Sequence, residues 1–137
     1  MDEGYRHRSL ADFEINPEKP GRRWELSSAL GIAEYNLNVA VLAPGERLAQ
    51  NAYHNHPNQR EAYYLTDGCC RAEVGEDSFR MDADDVLVTD PGVDHLLHNP
   101  FETECKLLAI GAPPEGRYPV EQVRSYEEVL DERYDEE

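Results

Sequence analysis

The stretch Tyr53 to Glu61, Y-H-N-H-P-N-Q-R-E, decides how the rest of the chain is read. His54 and His56 stand two residues apart, and on an extended strand that spacing sends both imidazoles to one face. Two rings on one face can converge on a single ion. Glu61 follows after a break at Pro57 and a polar turn, so it begins the next strand and can bring a carboxylate oxygen to the same ion. A further nitrogen must come from a distant strand, and His95, inside D-P-G-V-D-H-L-L-H-N, offers it. A lone histidine on a strand is more often a surface or hydrogen-bonded residue than a ligand. His7 and His98 are read that way, His98 being three residues from His95 and so on the opposite strand face.

Working outward, short strands separated by turn signals fill the middle of the chain. Residues 24–27 read as a short strand, and Tyr35, Leu37, Val39 and Val41 alternate with Asn36, Asn38 and Ala40 in a second that ends at Pro44-Gly45. Strands near 51–56, 60–66, 69–74, 78–81, 86–89, 94–99 and 104–110 follow, divided by N-P, D-G, G-E-D, D-A-D-D and P-G turns. Strands this short at this spacing predict an all-β sandwich or small barrel. Pro113-Pro114 closes it, and Val120 to Leu130 reads as one weak helix before the acidic end, Asp131 to Glu137.

The residues of these two segments resemble the motifs of the cupin superfamily. The first, H-x-H, a few residues, E, six residues, G, is matched by His54, His56, Glu61 and Gly68, with Ala62 to Asp67 between the last two. The second is matched at Gly92, His95 and Asn99, while Asp84 stands at its first glycine and Asp90 at its proline, with Pro91 one place late. Gly45, in Pro44-Gly45-Glu46, lies further upstream of the histidines than the motif asks. The resemblance covers roughly residues 24 to 114. It implies a small double-stranded β-helix, or jelly-roll, barrel over 24–114, after an N-terminal arm at 1–23 and before an acidic, partly helical tail at 115–137. It also implies a metal centre of His54, His56, Glu61 and His95, and a homodimer, since small cupins commonly pair through outer strands.

Three imidazoles and a carboxylate leave open positions on a six-coordinate ion. Mixed nitrogen and oxygen ligation suits a divalent transition metal, Fe, Mn, Ni, Co, Cu or Zn. The chemistry expected is that of an oxygenase with redox iron, or of an isomerase using the ion as a Lewis acid toward a small molecule. A metal-containing barrel that binds a small ligand without turnover is the alternative. Tyr63, two residues after Glu61, shares its inward face and is the candidate catalytic residue, placed to orient or protonate a substrate. Gln59 and Asn99 are candidates for supporting roles, Asn99 securing the turn with Pro100.

Composition bounds the partners. Of 137 residues, 29 are acidic and 13 basic, and the formal net charge of −16 argues against nucleic acid or an anionic membrane. Lysine occurs only at Lys19 and Lys106, with acids spread along the chain. An even acidic coat poor in lysine resembles proteins of salt-accumulating halophiles. The segment MDEGYRHRSL lacks the apolar run of a signal peptide, and a cytoplasmic location is expected. Cys69, Cys70 and Cys105 form neither a disulfide framework nor C-x-x-C spacing. Alternation after Gly68 places Cys70, Ala72 and Val74 on one face, making Cys70 a core residue.

Overall fold

A computed structural model describes residues 4–17, 21–48, 53–55, 57–114 and 121–124, with the backbone alone at 53–55 and 121–124. The described strands are β1 Arg22–Glu25, β2 Asn36–Leu42, β3 Tyr53–Asn55, β4 Arg60–Asp67, β5 Cys69–Val74, β6 Asp77–Asp82, β7 Val86–Thr89, β8 His95–His98, β9 Cys105–Ala112 and β10 Glu121–Arg124. Helix among the described residues is limited to a 3-10 turn, Leu10–Asp12, and α1, Leu26–Leu30. The strands form two five-stranded sheets, β1-β2-β9-β4-β7 and β10-β3-β8-β5-β6, with every pairing antiparallel.

From β2 onward the chain changes sheet at almost every turn; only the β5–β6 hairpin stays within one. Strands distant in sequence are thereby brought together, β3 beside β8 and β4 beside β9. The crossings depend on backbone that few residues tolerate. Gly68, between β4 and β5, has φ +79°, and a Cβ there would strike the Glu104 carbonyl. Asp84, between β6 and β7, has φ 75° and is the one non-glycine residue with positive φ among the described residues. It occupies the position of the motif's first glycine and adopts the left-handed conformation a glycine favours, which a short polar side chain tolerates better than most. Its Oδ1 accepts a hydrogen bond from the Tyr64 hydroxyl at 2.6 Å.

Alternation then builds the core. Ala40 and Leu42 of β2, Leu65 of β4, Cys70 and Ala72 of β5, Leu97 of β8 and Leu107 of β9 meet between the sheets. Each fully buried leucine contributes about 1.5–3 kcal/mol relative to exposure. Cys70 and Ala72 are in the core as the alternation predicts, with Val74 packed against it. Cys69, Cys70 and Cys105 are all free thiols.

Two local expectations are corrected. The strand expected at 24–27 runs instead over Arg22–Glu25, and Leu26 opens α1, which Gly31 ends at φ 72°. The helix expected from Val120 to Leu130 is a strand over its described part: β10 pairs with β3, Glu121 opposite Asn55 and Gln122 opposite His54. An open strand edge beside it outweighs the weak local preference for helix. The rest of that segment, with the tail 125–137, lies outside the described residues. No helix among the described residues is long and apolar enough to cross a membrane.

Candidate metal centre

His95 opens β8, and Val93, two residues earlier, presents its carbonyl to the imidazole. His95 Nδ1 lies 2.9 Å from the Val93 oxygen. A carbonyl can only accept, so Nδ1 carries a proton and Nε2 is the ring nitrogen turned to the interior. A backbone carbonyl holding the far ring nitrogen in this way is typical of a ligand imidazole.

Glu61 comes to the same place from the other sheet. On β4 it lies between Thr89 of β7 and Gly111 of β9, and it shares a face with Tyr63 and the core residue Leu65. Its Oε1 is 2.9 Å from His95 Nε2, with side-chain exposures of 15% and 3%. The Tyr63 hydroxyl donates to the same Glu61 oxygen and stands 3.1 Å from His95 Nε2. Tyr63 therefore shares the inward face of Glu61, as its spacing predicts. Burial first, then the charge of Glu61 and the hydrogen bond to it, push the Tyr63 phenol well above the ordinary tyrosine value, while the positive charge of Arg23 opposes them. At neutral pH the phenol is a proton donor, not a phenolate.

The strand order brings the first motif to this point as well. His54 of β3 is the register partner of His95 of β8. His56 lies outside the described residues, and at His54 the backbone alone is described. Among the described residues no group of three or more His, Cys, Asp or Glu side chains comes together. The donors that are described fit a divalent transition ion: an imidazole nitrogen and a carboxylate, a mixed nitrogen and oxygen set without thiolate.

Supporting residues fall into place around them. Gln59 is buried and donates to the Pro113 carbonyl at 3.1 Å. It fills the space that Gly111 leaves open, since a Cβ at Gly111 would lie 2.7 Å from the Gln59 side-chain amide. Asn99, fully buried, donates to the carbonyls of Leu42 and Thr103 and accepts from the Phe101 amide. It secures the turn after β8, as expected. His98 points to the face opposite His95 and lies 2.8 Å from Glu73 Oε2, both side chains wholly buried. Strand alternation separates His98 from the face of His95, but it gives no sign that Glu73 is its partner under cover.

A family model described as a cupin domain matches residues 38–111. Among solved structures of the same fold, one is a putative sugar phosphate isomerase from Acidithiobacillus ferrooxidans, 22% identical at a TM-score of 0.61 over 70% of this chain and 61% of that one. Another is a predicted oxalate decarboxylase from Thermotoga maritima, 20% identical, TM-score 0.64, covering 75% and 95%. A third is a cupin protein from Bacteroides fragilis, 18% identical, TM-score 0.68, covering 86% and 93%. No curated protein matches the chain.

Proposed function

The chain belongs to the cupin family, and we propose that it holds one divalent transition metal through His54, His56, Glu61 and His95 and acts on a small molecule beside it. The convergence of His95 Nε2 and Glu61 Oε1, 2.9 Å apart from opposite sheets, supports this reading most directly. Such an ion supplies Lewis acidity toward a substrate oxygen, or redox chemistry if it is iron. The protein's own residues supply position and a proton. Val93 holds the His95 ring, Gln59 packs beside the Glu61 strand, and Tyr63 keeps its hydroxyl protonated within reach of both named ligands. A buried proton donor of this kind suits isomerase-type proton transfer better than simple storage. Two solved structures of the same fold are named for reactions of small anions, a sugar phosphate and oxalate, which agrees with small-molecule chemistry.

The test is metal analysis of the purified chain, before and after reconstitution with Fe, Mn, Ni and Zn. One equivalent of one ion agrees with the reading. A chain that takes up none of them is a metal-free ligand-binding cupin instead.

We also propose that two copies pair through the outer face of the first sheet. Tyr64 lies opposite Val86 and Leu108, and Ala62 opposite Val88 and Ile110, so the outward positions form one apolar patch across β7, β4 and β9. Val86 and Val88 are 60% and 53% exposed, and β7 is the edge of its sheet. None of these outward positions carries a carboxylate. In a chain of net charge −16 this is a face where a second copy meets little repulsion.

A further inference from the structure

Arg23 of β1 lies opposite Ala40 of β2, and Ala40 belongs to the core. Residues directly opposed in an antiparallel pair share a face. Arg23 therefore points between the two sheets, unlike its exposed neighbour Arg22. Its side chain is only 18% exposed. One terminal nitrogen donates to the Leu48 carbonyl at 2.9 Å, and the Leu48 amide donates in turn to the Leu97 carbonyl on β8 at 2.9 Å. A guanidinium carried by the first sheet thus reaches the border of the second.

That position costs the protein something. Arg23 Nε is buried without a hydrogen bond, and a buried donor left unsatisfied is expensive and rare. The ion pair with Glu25 is stretched to 4.0 Å, and the other Glu25 oxygen accepts from Asn16. The strand register then locates the head group. Glu25, Asn38, Ala109 and Tyr63 form one row across the first sheet, and Arg23, Ala40, Leu107 and Leu65 form the next row facing the interior. Arg23 and Tyr63 are thus on strands three places apart, about 14 Å at roughly 4.8 Å per strand. Two long side chains span much of that distance, and the positive charge of Arg23 acts on the Tyr63 phenol.

We infer that Arg23 holds the anionic group, a carboxylate or a phosphate, of the small molecule that Glu61, Tyr63 and His95 face. A guanidinium presents a planar fork that bonds either oxyanion through two parallel N–H donors. In a chain this acidic, an anion has few cations to approach, and a cation held inside gives a small anion a favoured place. The inference deepens the metal-centre reading and rests on it for what lies at the other end of the molecule.

The experiment is calorimetric titration of the full chain with malonate and with inorganic phosphate, at fixed ionic strength, in metal-free and metal-loaded forms. Wild type binds at least one of the two, and Arg23→Gln weakens that binding at least tenfold. Uncharged malonamide is indifferent to the substitution. Arg23→Lys, which keeps the charge without the fork, recovers part of the loss. Binding of malonate alone assigns a carboxylate, and binding of phosphate alone a phosphate. If neither anion binds wild type, or if Arg23→Gln binds as wild type does, the inference is overturned. Metal uptake together with that second outcome leaves the metal centre standing. Arg23-dependent binding in a chain that takes up no metal leaves the anion site standing and removes the metal centre. Because Arg23 also tethers Leu48, the Nε–H resonance of Arg23 is followed by NMR in the unmutated protein. A shift on adding the anion supports the inference even where a variant fails to fold, and an unmoved resonance at saturation overturns it.

Discussion

His54 and His95, far apart in the chain, are direct register partners on neighbouring strands β3 and β8. Together with the contact of His95 and Glu61, that pairing brings the two motifs to one place in the fold. Metal content should follow it. His54→Ala, His56→Ala and His95→Ala each lower occupancy severely, Glu61→Gln lowers it less because an oxygen and the shape remain, and His98→Ala leaves it unchanged. Occupancy falls as pH drops through the histidine range, since imidazole must be neutral to bind. Elemental analysis across the variants and pH decides this: metal lost from His98→Ala but kept by His95→Ala would reverse the assignment of the second motif.

Much of this was legible in the residues because metal motifs and strand alternation are both short-range patterns. Spacing alone places Tyr63 on the face of Glu61, Cys70 in the core and His98 away from His95. Turn geometry was less transparent. Asp84 departs from the motif's glycine, yet it takes the left-handed backbone that position needs. What stayed hidden depends on pairing between distant strands. β10 exists because β3 offers it an edge. Arg23 faces inward only because Ala40 stands opposite it, and starting the strand two residues late leaves it in the arm. The partnership of Glu73 and His98 likewise depends on β5 and β8 lying side by side.

Breaking the Glu73 and His98 contact should destabilise the fold without touching the metal. Both groups are wholly buried, so removing one takes a hydrogen-bond partner from the other in a low-dielectric interior. His98→Ala or Glu73→Ala is expected to cost about 3 kcal/mol or more. A double change to leucines recovers part of that loss. Denaturant unfolding of the three variants, with metal content measured in parallel, checks both parts. A single variant as stable as wild type would show that the contact is dispensable.

The acidic coat predicts a dependence on salt. Repulsion among carboxylates acts over a Debye length of about 30 Å at 0.01 M salt and about 3 Å at 1 M. With a net charge of −16, the folded state should gain stability as salt rises. A melting temperature at least about 5 °C higher in molar KCl than in dilute buffer corresponds to roughly 1 kcal/mol for a domain of this size. Equal melting temperatures would mark the charge as unrelated to salt adaptation.

Val88 tests the pairing of copies. Its side chain is exposed in the single chain, so Val88→Asp should leave folding intact while placing a buried charge in the pair. Light scattering in high salt should give a dimer mass for wild type and a monomer mass for the variant. A monomeric wild type, or a variant that stays dimeric, removes this face as the interface.

Alkaline pH should expose the state of Tyr63. Its pKa is raised in the folded protein, chiefly by burial and then by Glu61, above the value of 10.0 expected in the unfolded chain. Below pH 10 both states are protonated and the fold has its full stability. Above it the unfolded chain loses the phenolic proton while the native state keeps it, so stability declines as pH rises toward the native value. The hydrogen bond between Cys70 and Cys105 raises the first thiol and lowers the second, so their contributions oppose each other and are common to wild type and variant. Tyr63→Phe keeps the ring in the core and removes one titrating group. Denaturant midpoints of the metal-free protein between pH 8 and 11 should therefore fall less steeply for Tyr63→Phe than for wild type. Parallel slopes would mean that Tyr63 ionises as easily in the fold as out of it, and that neither burial nor Glu61 holds its proton more tightly.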